Sequence, residues 1–296
     1  MELTKLRGRT YYIPGSTNVG VYRYRNGFCT LVDSGIDNTK GKRILDIIEL
    51  NKLKVKYLIN THAHPDHFNA NNYIKENHPG TLIASSSWEK LFMENSSLEG
   101  MMLYGATPMP GFTVRFLKGR DTVVDIELPE GPVELGNRKF DILSLKGHSP
   151  GQIGVATEDN VLFCGDAFFS EETMKKYPLP FLFDIGEQLK TLNFLLETNY
   201  DYYIISHSDG VLEKPKDVIR KNIANIHYNL EIIKDFLAQP LTREDLAALL
   251  INKYKISMNL SQYFITFSTV SAFLTYLLET QNIDMDIIDG KMYFYV

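Results

Sequence analysis

Short runs of β-branched and aromatic residues alternate with amphipathic stretches along most of the chain. Tyr11-Tyr12-Ile13, Val19 to Tyr24 and Phe28 to Val32 predict three strands, with the turn Arg25-Asn26-Gly27 making them a meander. Residues 39–50 predict a helix, because Ile44, Leu45, Ile47, Ile48 and Leu50 recur at helical spacing. Val55 to Ile59 and Leu82-Ile83-Ala84 read as further strands, and 86–94 as a helix. Strand patterns return at Val123 to Leu128, Val133 to Leu135, Phe140 to Leu145, Ile153 to Thr157 and Val161 to Cys164. A helix over 185–197, a strand from Tyr202 to Ile205 and a long amphipathic helix over about 215–237 follow. This strand-loop-helix alternation is an α/β signature.

Gln239-Pro240 marks a boundary, dividing the chain into a domain over 1–238 and a module over 239–296. In the module, Thr242 caps one predicted helix and Ser268 or Thr269 starts a second, over about 268–281. A hairpin, Met285 to Ile288 and Met292 to Val296, turns through Asp289-Gly290. Two helices and a hairpin resemble a winged-helix module. Residues 97–120 have no regular pattern and are unusually apolar, with Met101, Met102, Met109 and Phe112. They predict either a core-packing excursion or a loop over a pocket.

With 296 residues, 44% hydrophobic and 23% charged, the chain can bury a substantial core. A net charge of -5 argues against nucleic acid or an anionic membrane as the main partner. Cys29 and Cys164 both lie in apolar strand runs without framework spacing, which fits a reducing compartment. The first ten residues hold no apolar stretch of signal-peptide length, and no run approaches a membrane span. The expectation is a cytoplasmic protein with a small-molecule substrate and no membrane partner.

Histidine changes the picture. Of seven in the chain, His62, His64 and His67 fall within six positions, together with Asp66. Imidazole nitrogens and carboxylate oxygens are the donors that a borderline metal such as zinc selects. On an extended segment His62 and His64 point the same way and can share one ion, while Asp66 and His67 turn toward a second position as a helix begins. Packing such groups beside an apolar sheet is costly unless a cation compensates them. Three further candidates stand at predicted strand ends: His148 in Gly147-His148-Ser149-Pro150-Gly151, Asp166 in Phe163-Cys164-Gly165-Asp166, and His207 after Tyr202 to Ile205. Of the remaining histidines, His78 reads as an exposed turn residue and His227 as structural.

In this order these motifs resemble the metallo-β-lactamase superfamily, in its glyoxalase II-like hydrolase branch, over residues of about 10–237. The resemblance implies a four-layer αββα sandwich with metals at one edge. It implies that His62, His64 and His148 hold one ion, that Asp66, His67 and His207 hold a second, and that Asp166 bridges them. Asp33, in Asp33-Ser34-Gly35, matches an early loop that supports the site. His64, where oxygen-reducing diiron relatives carry Glu, favours zinc; iron and manganese also suit such sites.

The implied chemistry is hydrolysis by a hydroxide shared between two metals about 3.5–4 Å apart, cleaving a thioester, lactone or other ester-type bond. Asp66 is the expected catalytic residue, delivering a proton to the leaving group. Three alternatives stay open: a nuclease acting on phosphodiesters, a mononuclear-iron persulfide dioxygenase, and a metal-binding regulator without catalysis. The module has four basic against six acidic side chains, a net charge of -2, so no basic pocket for glutathione is legible. Its second helix carries no Lys or Arg between Ser268 and Gln281, which argues against groove reading. The module is therefore expected to pack on the hydrolase domain, or on a sister subunit in a homodimer, and to wall the pocket. Lys175, Lys176 and Tyr177 are placed to reach that pocket, although a solvated loop is the plainer reading.

Overall fold

The computed structural model describes residues 2–112, 118–207 and 211–296. One sheet collects β1 (Thr4–Arg7), β2 (Thr10–Ile13), β3 (Val19–Arg23), β4 (Phe28–Val32), β5 (Lys54–Ile59), β6 (Leu82–Ser85) and β7 (Ile126–Glu127) in chain order. Its first four strands form an antiparallel meander, and from β4 onward neighbours are parallel. The parallel half needs crossovers. These are supplied by α1 (Asn38–Leu50), α2 (Pro65–Phe68), α3 (Asn71–Asn77), α4 (Ser87–Glu94) and α5 (Leu98–Tyr104). The second sheet contains β8 (Gly131–Glu134), β9 (Lys139–Ser144), β10 (Ile153–Thr157), β11 (Val161–Gly165) and β12 (Tyr202–Ile205), in the order β12-β11-β10-β9-β8. Between β11 and β12 the chain forms α6 (Glu171–Lys176) and α7 (Ile185–Glu197). After β12 come α8 (Lys216–Phe236), α9 (Arg243–Tyr254), α10 (Leu260–Glu279) and the hairpin β13 (Asp284–Ile288) with β14 (Lys291–Tyr295).

The period of two along the strands builds the layers. In β4, Cys29 and Leu31 face α1 while Val32 faces the other sheet. In β11, Val161 and Phe163 face the first sheet while Leu162 and Cys164 face the helices of the second. Three apolar layers result: helices on the first sheet, sheet on sheet, and helices on the second sheet. This is the four-layer αββα sandwich expected from the sequence.

Residues 240–296 complete the outer apolar layer of the second sheet. Leu246, Leu250, Val270, Phe273, Leu274 and Leu277 are buried in one cluster with Leu189 and Leu192 of α7 and Ile226 and Leu230 of α8. The order helix, helix, hairpin is as read from the sequence, and the module packs on the chain's own α7 and α8. Thr242 caps α9 as expected, in a capping box with Asp245.

Four local expectations are corrected. The second module helix starts at Leu260 rather than at Ser268 or Thr269. Asn259 caps it by accepting from the Gln262 amide, and the Thr269 hydroxyl donates back to the Ile265 carbonyl inside the helix. The strand expected over 123–128 shrinks to Ile126–Glu127, and beside it the Ile83 amide goes to the Asp125 carboxylate rather than to a backbone carbonyl. Residues 97–120 are not irregular throughout. Leu98–Tyr104 is a helix ended by Gly105 in the left-handed region, and residues 113–117 lie outside the described residues. His78 is no exposed turn residue: it is buried at the end of α3, where its Nδ1 accepts from the Val55 amide. His227 stands exposed on α8.

Candidate metal centre

All seven candidate side chains meet at one edge of the sandwich. β5 ends at Ile59, and Asn60-Thr61 carries the chain directly into His62, all buried. His64 caps α2 and Pro65 occupies its first position, so Asp66 and His67 lie on a tight helical turn. His148 projects from the loop between β9 and β10, Asp166 follows β11, and His207 follows β12. At Gly165 φ is +56°, and a Cβ there would stand 2.8 Å from the Thr61 hydroxyl oxygen. Glycine therefore lets β11 turn Asp166 toward the histidine run.

Asp33 braces this run from β4. Its φ is 64°, an uncommon conformation for a residue with a side chain. One carboxylate oxygen accepts from the Thr61 amide at 2.8 Å, and the other from the Thr61 hydroxyl and His67 Nδ1, both at 2.9 Å. Ser34 and Asn60 both donate to the His67 carbonyl. The structure thus gives Asp33 the supporting position expected of it. His148 Nδ1 and His207 Nδ1 are likewise occupied by the Phe181 and Ser16 carbonyls, at 3.0 and 2.7 Å. Such anchoring of one ring nitrogen leaves the other to face a metal.

The inward atoms converge in three overlapping groups. His62, His64 and His148 form one, His62, His67 and Asp166 a second, and Asp66, His67 and His207 a third, with ligand atoms in each group within 4.8 Å of one another. His64 Nδ1 lies 2.9 Å from His148 Nε2. Asp166 lies 3.5 Å from His148 Nε2, 3.2 Å from His207 Nε2 and 3.7 Å from His67 Nε2, so it touches both halves of the cluster. Asp66 lies 3.2 Å from His207 Nε2.

The donors suit a divalent ion. His62 Nε2 and His67 Nε2 are buried and have no hydrogen-bond partner among the described residues, a costly arrangement for ring nitrogens unless a cation takes them. Burial, reinforced by neighbouring imidazoles, keeps His62 well below its ordinary pKa and pushes His64 down to about 3. These are neutral, ligand-ready rings. His67 is raised to about 9, because Asp66, Asp33 and Asp166 outweigh its burial. His207 is raised to about 12, first by Asp166. Burial favours the acid form of Asp66 and Asp166, but the cationic His67 and His207 win and hold both as carboxylates. Ionised Asp66 and Asp166 are in the form of ligands, and a bound divalent ion would displace the protons they hold on His67 and His207, since a ligating imidazole is neutral.

The sequence profile of the metallo-beta-lactamase superfamily matches residues 12–207, which contain all seven residues. The chain belongs to the metallo-beta-lactamase superfamily. It is 33% identical over 131 residues to a hydroxyacylglutathione hydrolase of Haemophilus influenzae, a match spanning 44% of this chain and 58% of that protein. With a hydroxyacylglutathione hydrolase of Blochmanniella pennsylvanica it shares 28% over 152 residues, 51% of this chain and 46% of the relative. The chain thus spans about half the length of these relatives. The fold is similar to that of a beta-lactamase domain protein from Burkholderia ambifaria, with TM-score 0.75 and 18% identity, covering 99% of this chain and 93% of that one. A metallo-beta-lactamase family protein from Thermus thermophilus gives TM-score 0.72 at 18% identity, covering 97% and 99%. The likeness includes the C-terminal helices and hairpin.

Within this metallo-beta-lactamase fold, two buried carboxylates escaped the sequence reading. Glu89 of α4 accepts from the Ala63 amide at 2.7 Å, the Ser149 hydroxyl at 2.7 Å and the Gly151 amide at 2.8 Å. It therefore ties the His62–His64 loop to the His148 loop. Ser86-Ser87-Trp88-Glu89 has the pattern of a capping box, but the Glu89 carboxylate is spent on the ligand loops instead. Glu99 of α5 lies 3.5 Å from His64 Nε2, and burial, then Glu89 and Asp66, keep its pKa well above the usual carboxylate range. Its only sequence signal was its place in the apolar 97–120 segment.

A cleft of about 790 Å³ opens over the centre. His148 and His207 line it together with Phe169, Leu179, Pro180 and Phe181, Val218 of α8 and Ile265 of α10. Lys176 and Tyr177 line it, so these residues do reach the cleft, whereas Lys175 does not.

Proposed function

We propose that this chain is a hydrolase that holds two divalent metal ions, zinc by preference, and cleaves a thioester, lactone or other ester-type bond of a small molecule. The observation that carries the reading is the convergence of the three ligand groups with two buried, unpartnered ring nitrogens, His62 Nε2 and His67 Nε2. His62, His64 and His148 would hold one ion; Asp66, His67 and His207 would hold the other, with Asp166 between them. Bound ions of this kind polarise a scissile carbonyl and acidify water to a pKa near 7.

The chain's own residues do the rest. Asp33, Phe181 and Ser16 fix His67, His148 and His207 through their Nδ1 atoms, so the Nε2 atoms stay aimed inward. Phe169 and Phe181 pack against His148, and Phe181 against His64, keeping water off that side of the centre. The names of the relatives favour a thioester among the bond types. The two free, buried thiols favour a reducing cytoplasm. Among the described residues no helix is long and apolar enough to cross a membrane.

The test is a panel of one thioester, one lactone and one phosphodiester offered to the purified protein. Turnover of a thioester or lactone supports the reading. Turnover of the phosphodiester alone, or oxygen consumption with a persulfide, would replace it.

A further inference from the structure

The cleft beside the centre narrows the substrate, provided the hydrolase reading holds. Phe169, Leu179, Phe181, Val218 and Ile265 give its lining a large apolar share, beside the uncharged polar side chains of Ser170, Thr173 and Gln262. This surface begins at the ligands themselves, since the Phe169 and Phe181 rings lie 5.8 and 5.7 Å from the His148 ring. A substrate carbonyl held at the centre therefore has phenyl rings beside it on the His148 side.

The charges at the mouth point the same way. Glu171 and Glu172 line the cleft, and Lys176 is its one lysine or arginine among the described residues. Lys176 lies over the Tyr177 ring, with its nitrogen 5.1 Å from the ring centre, and Lys221 is paired with Glu171. A glutathione moiety carries two carboxylates and needs cationic partners to replace their hydration. Among the described residues this cleft offers one, beside two carboxylates of its own.

We infer that the cleft is an acyl site for an apolar chain, and that the substrate is an acyl ester or thioester with an uncharged, apolar acyl group rather than a glutathione conjugate. Each methylene moved from water onto the Phe169–Ile265 wall raises kcat/KM by about fourfold at full burial. Over a chain that is partly buried, the octanoyl member of a series exceeds the acetyl member by at least about tenfold.

The experiment measures kcat/KM for acetyl, butyryl, hexanoyl and octanoyl thioesters of N-acetylcysteamine, and for the same acyl groups on glutathione. The expected result is a rise with chain length and no gain from glutathione. Val218→Thr keeps the side-chain shape but puts a hydroxyl on the wall, so it should cut the octanoyl-to-acetyl ratio several-fold. Ile265→Glu should cut it further, with folding checked by thermal unfolding. Turnover that is flat with chain length, or a tenfold preference for the glutathione series, would overturn the acyl site and leave the hydrolase reading intact. No turnover of any thioester, lactone or oxygen ester would overturn both.

Discussion

Replacing Glu89 with Gln probes how the centre is held without touching a ligand. The Glu89 carboxylate is 1% exposed and receives three donors, one from Ala63 between His62 and His64, two from the loop that carries His148. Burial pushes its pKa up, opposed by those three donors. An amide of the same shape has one oxygen and one NH2, and the NH2 cannot accept. The least costly orientation keeps the oxygen on Ser149 and Gly151 and turns the NH2 toward the Ala63 N–H. A buried donor is then left unmet, which costs about 1–3 kcal/mol. Because that donor lies between two candidate ligands, we expect the loss to fall on the metal-holding geometry, weakening affinity at the His62–His64–His148 group by about 10- to 100-fold. Competition against a chromophoric chelator reads the affinity, and thermal unfolding reads the fold. Ser149→Ala removes only one donor and should have a smaller effect. Wild-type metal affinity at both positions in Glu89→Gln, with a folded protein, would refute the claim that Glu89 sutures the two loops.

Two further outcomes follow from the same structure. Asp166→Ala removes the carboxylate that contacts both halves of the cluster, so the protein should retain at most one ion by metal analysis and lose most of its turnover. Full metal content with full activity would contradict that role. Burial pushes the Cys29 thiol up to about 12 and the Cys164 thiol higher still. Neither should react with a maleimide at pH 8 until the protein is unfolded, and prompt native labelling would contradict their burial.

The legible parts of this protein were those written in short-range pattern. The strands Phe28–Val32 and Ile153–Thr157 and the helix Ile185–Glu197 follow from alternation and helical spacing, and the structure has them at those residues. The seven candidate residues were legible because His and Asp at strand ends have little structural reason to cluster. What stayed hidden depends on tertiary partners. Glu89 reads locally as a helix cap and becomes a strut only because Ala63 and Gly151 approach it. His78 sits in a turn-like context, Asn77-His78-Pro79-Gly80, and is buried only because β5 offers it the Val55 amide. The start of α10 was missed because Ser268 and Thr269 imitate a cap, while their surroundings, which the sequence does not display, keep the helix running back to Leu260. The apolar cleft combines residues 169–181 with Val218 and Ile265, a juxtaposition that no local window contains.

On the proposed reading, turnover depends on metal held by His62, His64, Asp66, His67, His148, Asp166 and His207. The most direct measurement is the initial rate of thioester hydrolysis before chelation, after chelation and dialysis, and after titration with zinc, with metal content determined at each step. Activity should be lost with the metal and restored as the second equivalent of zinc is bound. Undiminished hydrolysis by fully demetallated protein would contradict it.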